Sequence, residues 1–194
     1  MALNVGIYIY DNAEVLDFSG PFEVFSTVNR LATESAFNVF LVGETGETVN
    51  ARAGFQVNPA YGFSDHPKID VLVVVGGVHT QEVLKSQVVS WIAEVALQAS
   101  LIASVCTGVF LLAKANVVQT ETVTTHWEDI ADLRHDFPKL DVKENTPWVD
   151  QGRIVTSAGI SAGIGMSLHL VSRLVSLELA KRTARQMEFD WQPL

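Results

Sequence analysis

The chain has 194 residues, 48 % of them hydrophobic and 18 % charged, a composition that suits one globular domain over residues 1–194 and excludes a disordered chain. A core of that size buries roughly 70 % of the surface the unfolded chain exposes, so neither a disulfide nor a metal is needed for folding. With 22 acidic against 13 basic side chains the formal net charge is −9, a field that repels phosphate backbones and anionic bilayers, so neither nucleic acid nor membrane is expected as a partner.

In chain order, Val5 to Tyr10 alternates like a strand that Asp11 ends, with no basic region and signal-length apolar run, so a cytoplasmic location is expected. A helical pattern follows from Pro21 to Leu31, then a strand from Asn38 to Val42. Thr48 to Ala60 mixes polar and apolar residues around Gly54 and Pro59 and predicts a small antiparallel excursion. Val71 to Val75 is apolar throughout, as a central strand covered on both faces should be. Ser90 to Gln98 predicts a helix, Leu101 to Val105 a buried strand and Gly108 to Lys114 a helix. Trp148 to Gln151 and Ile154 to Ser157 flank Gly152 as a hairpin, and helical patterns run from Ser161 onward, with Ile164, Leu168, Val171 and Val175 on one face. The alternation of strands and helices predicts an α/β fold, a mostly parallel flavodoxin-like sheet with helices on both faces. The apolar runs are far shorter than the ~20 residues that span a bilayer.

Cys106 is the single cysteine, so no intramolecular disulfide forms. It sits between a buried strand and an apolar helix, with Gly108 two residues on: the pattern of a nucleophile elbow with cysteine in place of serine. A helix N-terminus favours an anion, so a depressed thiol pKa and a reactive thiolate are expected; the alternative is a small inert core residue. Gly76 and Gly77 end the strand before it, where their N–H groups could form an oxyanion hole with the amide of Thr107, or simply turn the chain. Asp17, between apolar neighbours just before Gly20-Pro21, is a candidate acid/base if desolvated and otherwise a helix cap, with Ser19 and Pro21 supporting the helix start. His126, in Thr124-Thr125-His126-Trp127, is a candidate base or substrate contact, or a structural histidine. No histidine is spaced for a metal, and no cofactor is expected.

Together, Asp17-Phe18-Ser19-Gly20-Pro21, Gly76-Gly77, Ser104 to Gly108, Thr124 to Trp127 and Thr156-Ser157-Ala158-Gly159 resemble the ThiJ/PfpI, class I glutamine amidotransferase-like superfamily. Within it the chain is similar to isocyanide hydratases and to the sensor domains of amidase-type AraC regulators. The hydratase resemblance implies Cys106 as nucleophile, Asp17 as acid/base partner, Thr107 as accessory hydroxyl and Gly77 as part of the pocket. A small-molecule substrate and a homodimer are implied too, and no helix-turn-helix extension is expected after the hydratase-like Gln186 to Asp190. Thr107 stands where the protease type carries histidine, and the amidotransferase His-x-Glu is absent, His169 being followed by Leu170 and Val171. Gly165 replaces the aspartate usual after Ala162-Gly163-Ile164, a change expected to alter pocket polarity. The expected activity is hydration of an isonitrile or similar electrophile to an N-formamide by a lyase; glyoxalase- or deglycase-like carbonyl chemistry and a redox or ligand sensor are the alternatives.

Overall fold

A computed structural model describes residues 2–193. Its central sheet has six strands in the order β2-β1-β5-β6-β10-β9: β2 is Phe37–Val42, β1 Leu3–Tyr8, β5 Val71–Val74, β6 Leu101–Val105, β10 Ile154–Ser157 and β9 Trp148–Asp150. All neighbours are parallel except the edge strand β9, which turns back on β10 as the predicted hairpin. Every residue of β5 and β6 is buried, which explains why neither strand alternates polar and apolar residues: β5 is apolar throughout and β6 is interrupted only by the buried Ser104. On one side α1 (Val15–Leu31), α5 (Ala162–Leu174) and α6 (Leu177–Gln186) pack together, and α2 (Ser86–Gln98) packs with α3 (Gly108–Lys114). β3 (Val49–Ala51) and β4 (Phe55–Val57) form the expected antiparallel excursion. Two short strands, β7 (Thr122–Val123) and β8 (Asp141–Val142), flank α4 (Ile130–Asp136). No helix among the described residues is long and apolar enough to cross a membrane.

Three expected boundaries change. α1 begins at Val15, six positions before the expected start at Pro21, so Pro21 lies inside the helix and Asp17 within its first turn rather than at a cap. The Gly-Pro pair serves packing instead: a Cβ on Gly20 would come within 2.9 Å of Ile164 Cγ1, and the Pro21 ring approaches Gly163, so these residues let α1 and α5 close on each other. α2 starts at Ser86 rather than Ser90. Val175 follows the end of α5 and is 44 % exposed, so it does not share the buried face of Leu168 and Val171.

Candidate functional site

β5 and β6 run in register, Val74 opposite Ser104, so Gly76-Gly77 and Cys106-Thr107 emerge side by side at the same sheet edge. Such C-terminal strand ends are where open α/β sheets bind ligands. Cys106 has φ of +56°, a left-handed conformation that L-residues adopt at a cost, and it joins β6 to α3 as a sharp elbow. Close approach requires glycine opposite it: a Cβ on Gly76 would stand 2.5 Å from Thr107 N and 2.7 Å from Cys106 Cβ.

Asp17 comes to the same place from the first turn of α1 and is wholly buried. Its Oδ2 accepts the Gly76 N–H at 3.0 Å, while Oδ1 has no hydrogen-bond partner among the described residues. Burial pushes its carboxyl up to about 7, against the pull of the Gly76 N–H and the facing Cys106 thiol. Cys106 is 7 % exposed. Burial first, and then the negative charge of Asp17, push its thiol up to about 12, although the Thr107 and Ile160 N–H groups favour the thiolate.

The elbow was expected to depress the thiol pKa; the structure corrects this. α3 has only seven residues and its terminal amides do not offset burial beside a carboxylate, so sulfur keeps its proton in the resting site and Asp17 is positioned to take it.

Thr107 is bound to Gly77 in both directions: its Oγ1 accepts the Gly77 N–H and donates to the Gly77 carbonyl, each at 3.0 Å. Its proton is therefore directed at the Gly77 carbonyl and not at the sulfur. The same bonds occupy the Gly77 amide, and Asp17 occupies that of Gly76, so the oxyanion hole expected from this pair is committed within the protein. Gly77 has φ of +137°, and its neighbours bond the loop after β1: Gly76 O accepts the Glu14 N–H at 3.0 Å, and Val78 N–H donates to Asn12 O at 3.1 Å.

His126 lies on the wall of an open depression of about 570 Å³, with Thr125, Trp127, Gly159 and Ile160. Its ring occupies the space that glycine leaves at position 159, and Nδ1 stands 3.4 Å from Asp129 Oδ2. The depression abuts the elbow through Thr125, whose hydroxyl donates to the Cys106 carbonyl at 2.9 Å, and through Ile160. Gly165 is buried under Trp148, whose Cζ3 would lie 3.0 Å from a Cβ there, so an aromatic ring takes the space an aspartate would need. Among the described residues no group of three His, Cys, Asp or Glu side chains is arranged for a metal ion.

Two residues of the site carry no sequence signal. Ile160 is a β-branched residue at φ of +54°, and its N–H faces both Cys106 and Asp17. Tyr10, an apparent core residue just past β1, is buried, and burial together with the negative charges of Glu82 and Asp17 holds its phenol protonated well above the usual range.

A parallel sheet that presents a buried cysteine at an elbow, with a carboxylate beside it from the first helix, defines the class of flavodoxin-like proteins with a strand-end cysteine site. The DJ-1/PfpI family pattern matches residues 4–173, and the chain belongs to that family. It is 33 % identical to the isonitrile hydratase of Pseudomonas putida over 194 residues, which is all of this chain and 81 % of the relative. It is 28 % identical over 187 residues to the HTH-type transcriptional regulator GbdR of Pseudomonas aeruginosa, and spans about half of that regulator's length. A ThiJ/PfpI family protein from Pseudomonas syringae superposes with a TM-score of 0.87 over all of this chain and 77 % of that one, at 22 % identity, a likeness of fold.

Proposed function

We propose that the protein hydrates a small isonitrile to an N-substituted formamide, with Cys106 as nucleophile and Asp17 as its proton partner. The observation that carries this reading is the buried Cys106–Asp17 pair in a chain whose whole length is similar to an isonitrile hydratase. A carboxyl near 7 is matched to general acid–base work at neutral pH. As sulfur attacks the terminal carbon, Asp17 takes the thiol proton and returns it to that carbon, giving a thioimidate on Cys106. Addition of water and cleavage of the C–S bond then release the formamide and restore the thiol. No step needs a cofactor. The Thr125-His126-Trp127 and Ile160 wall beside the elbow is the proposed seat of the substituent on nitrogen.

Ligand sensing is the second reading, and similarity to a regulator over 96 % of this chain favours it. Formamide production from aliphatic and aromatic isonitriles, assayed with wild type and Cys106→Ser, decides between them. Hydration lost in the variant supports the enzyme; binding without turnover in the wild type supports the sensor.

A further inference from the structure

The left-handed backbone of Cys106 persists only where its surroundings fix it, and two groups do so. On one side its N–H donates to Ser157 O at 3.2 Å and to Ala158 O at 3.3 Å, at the end of β10. On the other its carbonyl accepts the Thr125 hydroxyl at 2.9 Å. Thr125 is 1 % exposed, so water does not compete for that carbonyl.

Thr125 is itself held in place. The neighbouring Thr124 N–H donates to Thr156 Oγ1, and the Thr124 hydroxyl donates to the Lys143 carbonyl, each at 2.9 Å. Thr156 lies in β10 opposite Ser104 of β6, the strand that ends in the elbow, so the Thr125 hydroxyl is fixed to the same sheet as the cysteine it holds. Its β-branched side chain has few rotamers to escape into.

The grip on the carbonyl reaches the sulfur through one peptide. The Cys106–Thr107 peptide is trans and planar, so the Thr107 N–H points opposite to the carbonyl that Thr125 holds and cannot turn unless that bond breaks. Of the three amides expected to serve the site, that of Gly76 is given to Asp17 and that of Gly77 to Thr107 Oγ1, whereas the Thr107 N–H has no oxygen acceptor among the described residues. It adjoins the cysteine covalently, and it favours the sulfur anion. A carbonyl that accepts a hydrogen bond also polarises its peptide and makes the N–H a better donor.

We propose that Thr125 is a positioning residue for Cys106: by gripping the carbonyl of the elbow it keeps the Thr107 N–H turned to the sulfur while the thiol proton leaves for Asp17. The reaction it serves is the hydration proposed above, and the proposal rests on that reading. Thr125 acts through the peptide and forms no bond to the substrate.

Two variants of the full chain test this, Thr125→Val, which keeps the shape and removes the hydroxyl, and Thr125→Ser, which keeps the hydroxyl. Alkylation of Cys106 by iodoacetamide is followed against pH in each. The profile of the Val variant should move to higher pH and its rate at pH 7 should fall roughly tenfold, while the Ser variant follows the wild type. With an isonitrile, rapid quench and intact-protein mass should show thioimidate forming on Cys106 more slowly by the same factor, with little change in KM. A hydroxyl that only stabilises the fold would lower the urea midpoint of the Val variant and leave its alkylation profile in place; unchanged or faster alkylation therefore overturns the proposal. A wild type that converts no isonitrile fails the hydration reading instead, and the alkylation profiles then decide the role of Thr125 alone. If Thr125→Val does not fold, a crystal structure of the wild type decides. The Thr125 hydroxyl on the Cys106 carbonyl with the Thr107 N–H directed at the sulfur supports the proposal, and either contact missing overturns it.

Discussion

The Thr107 hydroxyl and the Gly77 peptide grip each other in both directions, one bond donated and one accepted, each at 3.0 Å. This joint ties the cysteine turn to the loop after β5, and through Gly76 to Asp17. The spacing of sulfur and carboxylate therefore depends on a side chain whose proton reaches neither.

Thr107→Val removes both bonds at once and leaves the Gly77 N–H and carbonyl without their partner. A loss of about 1–3 kcal/mol in folding stability is expected, together with slower turnover, whereas Thr107→Ser should retain most of both. Urea melts of the three proteins check it. A Val variant as stable as wild type yet tenfold slower would return the hydroxyl to a direct part in the chemistry.

The thiol is held near 12 by burial and by Asp17. Iodoacetamide should therefore modify folded wild-type protein at pH 7 more slowly than a free thiol, whose pKa is about 8.5, with the rate rising through the alkaline range. Asp17→Asn removes the like charge, so its profile should move to lower pH even as isonitrile turnover is lost. A wild-type midpoint below that of a free thiol would show that a resting thiolate exists after all.

Asp17 also makes stability depend on pH. Its carboxyl is raised from 3.8 to about 7 on folding, so between those values the folded chain keeps a proton that the unfolded chain has released. Its contribution is most favourable below pH ~4 and is lost as pH rises through ~7, on the order of a few kcal/mol. Asp17→Asn should lack this decline. Denaturant unfolding of both proteins at pH 5 and pH 8 measures the difference, and parallel behaviour would mean that the carboxyl is not perturbed.

At position 165 a glycine lies under Trp148, whose ring fills the space a side chain would need. Gly165→Asp must push the ring aside and bury a carboxylate beside it, for an expected cost of about 1–3 kcal/mol. Thermal melts follow it. A neutral effect would show that Trp148 yields freely and that the ring does not shape this part of the site.

The order of strands and helices was legible because the central strands are short runs rich in buried apolar residues, unbroken in β5, and the long helices carry periodic apolar faces; both signals come from local burial. Cys106, Asp17, Thr107, Gly76 and Gly77 were legible as a group because each stands at an element end, where the change from one period to another marks the chain. The start of α1 was misread since Gly20-Pro21 has the composition of a helix entry, and only the partner helix α5 shows that the pair is there for close packing.

What the sequence by itself determined was the fold class, the cysteine at the strand–helix turn and the family pattern around it, all of which rest on neighbours within a few residues. The tertiary structure alone decided the protonation of the sulfur, the use of the Gly76 and Gly77 amides, and the arrival of Ile160 at the site. Those depend on burial and on contacts between residues far apart in the chain, such as Asp17 with Gly76 and Thr107 with Gly77, which no local pattern encodes.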